Sequence, residues 1–138
     1  MSVMEVDLHK LKINDPFLGQ YQRLVRDVVI PYQWDALNDR VTEAEPSHAI
    51  TNFRIAAGLE QGEFYGMVFQ DSDVAKWLEA VAWSLCQKPD AELEKTADEV
   101  IALAEVHAEI FDVHCPSMSL PTLLNTALKD LPGIGFPY

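Results

Sequence analysis

The chain has 138 residues, 49% of them hydrophobic, with 10 Lys and Arg against 22 Asp and Glu and a formal charge of −12 at pH 7. That length allows one domain with a core and excludes a two-domain enzyme, and the apolar content excludes wholesale disorder. The acidity disfavours nucleic acid and anionic membranes as partners, no apolar run reads as a transmembrane span, and the charged N-terminus lacks a signal peptide's apolar centre, so a cytoplasmic location is expected.

In chain order, Val3, Val6, Leu8 and Ile13 alternate enough to predict a short strand or extended lead-in over Met1 to Ile13. Asn14-Asp15-Pro16 then predicts a helix start, with a capping side chain and a proline whose missing N–H is harmless in the first turn. Phe17, Tyr21, Leu24, Val25 and Val28 are its predicted buried stripe. Pro31 is expected to end or kink that helix at Ile30, with a second helical piece carrying Trp34 and Leu37.

After an acidic loop from Asn38 to Pro46, Ser47 is placed to cap a helix that runs to Ala57 and stops at Gly58, with Ile50, Phe53 and Ala57 facing inward. Gly62 and Gly66 bracket Glu63-Phe64-Tyr65, a turn or extended piece whose aromatic residues are expected to tuck under the next helix. That helix is the clearest in the chain. Val74, Trp77, Leu78, Val81, Ala82 and Leu85 recur at helical spacing, opposite Lys76 and Glu79, and Asp71 or Ser72 is placed to cap the start. A further helix begins at Asp90 and buries Leu93, Ala97, Val100, Ile101 and Ala104, leaving Glu92, Glu94, Lys95, Asp98 and Glu99 in water. The fold class is all-α.

Four motifs carry a family resemblance: Ile30-Pro31-Tyr32-Gln33-Trp34, the run from Ser47 through Asn52-Phe53-Arg54 to Gly58, the run from Glu63 through Gln70-Asp71-Ser72-Asp73 to Val74, and Lys76-Trp77-Leu78-Glu79. In this order and spacing they resemble the N-terminal part of the catalytic domain of glycoside hydrolase family 127, the β-L-arabinofuranosidases. The resemblance implies helical hairpins forming an incomplete piece of an (α/α)6 barrel over residues 1–103. It also implies hydrolysis of terminal β-L-arabinofuranosyl linkages by the full-length family, with a cysteine nucleophile on a zinc ion and a glutamate acid/base. Those catalytic and zinc positions lie beyond the matched segment, so the expectation for this chain is no catalytic residue, no metal ligand and no cofactor, zinc belonging to the full-length family. Residues 104–138 lack the family's later motifs and read as a divergent tail from a frameshift or truncation, with a short helix from Pro121 to Leu128.

Helix starts in such barrels face the substrate, which makes Gln70, Asp71 and Asp73 the candidate carbohydrate contacts. A helix cap that complements the dipole accounts for the two aspartates without a ligand. His48, also at a helix start, is the fourth candidate. Glu63 and Glu79 give no acid/base pair legible in sequence, because glycoside hydrolysis needs two carboxyl groups at a set separation across the sugar. Cys86 reads as a small buried hydrophobe, and His107, His114 and Cys115 would form a metal site only if a helix brought them together with a further ligand. Trp83 falls off the buried stripe of its helix.

The leading expectation is therefore an N-terminal fragment of a β-L-arabinofuranosidase-like hydrolase, inactive by itself, whose full-length relatives act on carbohydrate. The alternative is a small acidic all-α binding or self-associating protein without catalysis, its exposed apolar helix faces pairing with a second copy or another subunit.

Overall fold

The structure, a computed structural model, describes residues 10–67 and 70–111, with side chains through residue 106. The described residues contain helices and no strand. Residues 10–13 are not extended into a sheet; the rest of the predicted lead-in, the Pro121 to Leu128 helix, His114 and Cys115 lie outside the described residues.

Helix α1, Pro16–Leu24, starts as the sequence predicts: the Asp15 carboxylate accepts the N–H of Leu18 at 2.8 Å, and Pro16 occupies the first turn. Where an end or a kink is expected at Ile30, a π turn, Val25–Val29, leads directly into α2, Ile30–Leu37, the expected second helical piece with Trp34 and Leu37. Proline has no N–H to donate and its ring crowds the carbonyl four residues back, here that of Asp27. The N–H of Ile30 reaches back to Val25, five residues away, and the wider turn carries the helix past Pro31.

Helix α3 spans Ala49–Ala56, α4 spans Gln70–Gln87 and α5 spans Ala91–Phe111. The end of α3 follows the sequence reading. Gly58 turns left-handed at φ +70°, its N–H bonds Ile55, and the N–H of Leu59 bonds Arg54, so the last carbonyls are satisfied. Its start does not: no side chain caps it, and His48, rather than Ser47, holds the cap position at φ +54°. Helix α4 begins at Gln70, which puts Asp71 and Ser72 in its first turn.

Helix α4 is the centre, packed against α2, α3 and α5. Val74, Trp77, Leu78, Val81 and Ala82 meet Ile30 and Leu37 from α2, Ala49, Ile50 and Phe53 from α3, and Ala97, Val100, Ile101 and Ala104 from α5 in one apolar cluster. Each removes apolar area from water at about 25 cal/mol per Å². The Asp90 carboxylate accepts the N–H of Leu93, as the capping pattern predicts.

Helix α1 departs from expectation. Phe17, Tyr21, Leu24, Val25 and Val28, read as a buried stripe, are exposed, Phe17 to 63%. Helical periodicity shows that a face is apolar without showing what covers it, and α1 runs directly on into the π turn with this face left in solvent. Phe64 and Tyr65 are likewise exposed instead of tucked under α4.

Candidate functional site

Two of the four candidate residues, His48 and Gln70, lie against Tyr65 and Gly66 of residues 61–67, which have no regular structure, and Asp71 and Asp73 follow Gln70 in α4. Among the described residues Asn52 is the one buried polar side chain, 5% exposed on the inward face of α3. Its carboxamide takes both backbone groups of Tyr65: Nδ2 donates to the Tyr65 carbonyl at 2.8 Å, and Oδ1 accepts the Tyr65 N–H at 3.1 Å. A buried amide left without partners would be destabilising by about 1–3 kcal/mol, so the loop satisfies Asn52 as much as Asn52 fixes the loop.

The Tyr65 ring meets His48 edge-on, with centroids 4.5 Å apart. The Asp39 carboxylate accepts the His48 backbone N–H at 2.8 Å and lies 3.4 Å from its Nδ1, which anchors a residue held in the left-handed region. On the other side of Tyr65, Gly66 adopts φ +99°, and a Cβ there would collide with the Gln70 carboxamide. The Gln70 N–H bonds the Met67 carbonyl at 3.1 Å, while its buried Oε1 meets no donor among the described residues.

The structure thus brings His48 against Tyr65 and Gln70 against Gly66. Asp71 and Asp73 occupy the first turn of α4, where negative charge suits the helix dipole. Asp73 also pairs with Lys76 at 2.9 Å, an exposed contact of little energetic weight. Asn52, Tyr65 and Asp39 were not named as site residues in the sequence reading. The signal for Asn52 was present: it lies three residues from Ala49 and beside Phe53, a polar residue on an otherwise apolar helix face.

Glu63 and Glu79 are both exposed, one in the loop and one on the outer side of α4. Among the described residues no three His, Cys, Asp or Glu side chains come together to hold a metal ion, and Cys86 is buried in α4. Those residues do not fit the zinc that the family resemblance implies. No described helix is long and apolar enough to cross a membrane. A second feature lies on α1 and the π turn, where Phe17, Tyr21, Leu24 and Val28 line an open hollow edged by Gln20, Arg23 and Asp27.

A family model described as the beta-L-arabinofuranosidase GH127 catalytic domain matches residues 10–108. A curated relative, the non-reducing end beta-L-arabinofuranosidase of Bifidobacterium longum subsp. longum, is 41% identical over 66% of this chain and 16% of its own length. The crystal structure of a GH127 beta-L-arabinofuranosidase from Geobacillus stearothermophilus T6 matches with a TM-score of 0.68 and 66% identity, over 70% of this chain and 15% of that one. The chain therefore matches only about a sixth of the length of these relatives.

Proposed function

Because the chain belongs to the GH127 beta-L-arabinofuranosidase catalytic-domain family, we propose that it supplies one helical sector of such a domain's (α/α)6 barrel and one wall of its carbohydrate site. In this reading His48, Gln70, Asp71 and Asp73 face a terminal β-L-arabinofuranosyl group, and the chain does not hydrolyse the linkage by itself. Its location is the cytoplasm. The observation that carries the reading is the convergence of His48 and Gln70 on the fixed Tyr65-Gly66 step, within a segment 66% identical to a solved member of the family.

The chemistry is consistent with a binding wall. An imidazole and a carboxamide offer donors and acceptors to sugar hydroxyls, and the exposed Phe64 and Tyr65 rings offer apolar surface to a sugar's C–H face. Cleavage needs an acid/base and a nucleophile set across the bond, and by resemblance to the family both lie beyond the matched segment. The test is an aryl β-L-arabinofuranoside incubated with the pure chain, beside an intact family enzyme as control. Release of the aryl group by the chain overturns the inactive-sector reading.

The exposed face of α1 supports a second reading, a protein that pairs with itself or with another polypeptide through that face. A discrete dimer in light scattering that dissociates on Leu24→Glu favours it; a monomer at all concentrations removes the self-pairing form.

A further inference from the structure

We infer that Asn52 is the positioning residue of this site: it locks the loop carrying Tyr65 and Gly66 in the arrangement that sets His48 and Gln70 for a β-L-arabinofuranoside. The inference rests on the carbohydrate reading above and adds the residue that preorganises the site.

Asn52 stands where an apolar side chain would extend the inward face of α3. A carboxamide at this position gives up apolar packing and must find two partners, and both come from one residue, Tyr65. Phe64, Tyr65 and Met67 expose more than half of their surface, so hydrophobic burial does not anchor them. A buried residue is used to fix a segment whose own side chains point to solvent, and a segment fixed in that way is suited to present them.

The consequences run outward from Tyr65. With its N–H and carbonyl both engaged, its ring is held against His48. The following residue, Gly66, is delivered onto the Gln70 side chain at a backbone angle that disfavours any Cβ. Asn52 thereby sets the two groups that would meet a ligand while remaining buried itself, so it acts through them and does not touch the sugar. Holding contact groups before the ligand arrives lowers the ordering cost of binding.

Asn52→Leu and Asn52→Asp test this together. The leucine keeps nearly the same shape, suits the apolar face and removes both bonds to Tyr65; the aspartate keeps the acceptor and loses the donor. Two quantities are read, amide hydrogen exchange at residues 63–67 relative to α4, and the Kd for methyl β-L-arabinofuranoside by NMR titration. For Asn52→Leu the expected results are loop exchange at least about 10-fold faster with α4 protection kept, and a Kd at least about 10-fold weaker, with Asn52→Asp intermediate. Unchanged loop exchange, exchange that rises equally in the loop and α4, or a loosened loop with unchanged Kd each overturns the inference. Should Asn52→Leu not fold, Asn52→Asp gives the same two readings. A wild-type chain that does not bind the glycoside defeats the carbohydrate reading instead, and the exchange ratio still decides whether Asn52 holds the loop.

Discussion

The indole N–H of Trp77 in α4 donates to the backbone carbonyl of Ile30, 47 residues earlier, at 3.1 Å. Ile30 is the first residue beyond the π turn, and the Trp77 ring also stacks on Trp34 of α2 with centroids 4.6 Å apart. One side chain therefore fastens the α1–α2 arm to the central helix by a buried hydrogen bond and a ring contact.

Trp77→Phe keeps most of the apolar area and loses the bond, so a loss of about 1–2 kcal/mol is expected. Trp77→Ala also opens a cavity and is expected to lose about 3–5 kcal/mol. Urea unfolding followed by circular dichroism distinguishes the two, and equal losses would show that the hydrogen bond, not the ring volume, dominates.

Gly66→Ala is expected to destabilise by about 1–3 kcal/mol, because φ +99° is strained for alanine and the new Cβ meets the Gln70 amide. Gly66→Ala combined with Gln70→Ala is expected to recover part of that loss by removing the collision. Thermal unfolding of the three variants, set out as a double-mutant cycle, reads the coupling.

Substitutions on the α1 face are expected to leave stability nearly unchanged. Tyr21→Glu or Leu24→Glu should shift unfolding by no more than about 0.5 kcal/mol, since both side chains are already exposed. Val81→Ala, inside the core, should lose about 1–3 kcal/mol. A large loss from Leu24→Glu would place α1 in the cooperative core.

Acid should weaken the arm locally. The hydrogen bond from the Arg26 guanidinium holds the Asp27 carboxyl below the ordinary carboxylate range, and the same bond raises Arg26 from a value already far above neutrality. A carboxyl depressed in the folded state stabilises above its unfolded value, and that contribution is lost as pH falls through the folded one. The pair is exposed, so the effect is small and screened by salt. A melting-temperature profile from neutral to acid pH should fall slightly less steeply for Asp27→Asn than for wild type, with the difference vanishing at high salt.

The inner halves of this fold were legible in sequence. Val74, Trp77, Leu78, Val81 and Ala82 advertise one helix face, Asp15-Pro16 and Asp90 mark starts, and Gly58 marks a stop, because each of these signals is local. What failed depended on context. The apolar stripe of α1 says nothing about its partner, the π turn ahead of Pro31 has no local signature, and the left-handed backbone of His48 is held by Asp39, nine residues earlier. Among the candidate site residues, His48 and Gln70 were named as helix-start groups; the loop that joins them became visible only through the bonds from Asn52 to Tyr65.

The most direct measurement is an NMR titration of the isotopically labelled chain with methyl β-L-arabinofuranoside, followed through both the protein amides and the sugar's anomeric signal. Shifts centred on His48, Tyr65, Gly66 and Gln70, with the anomeric signal unchanged after prolonged incubation, are the expected result for a binding wall without hydrolytic activity of its own. Shifts elsewhere, no shifts at all, or the appearance of free L-arabinose would contradict it.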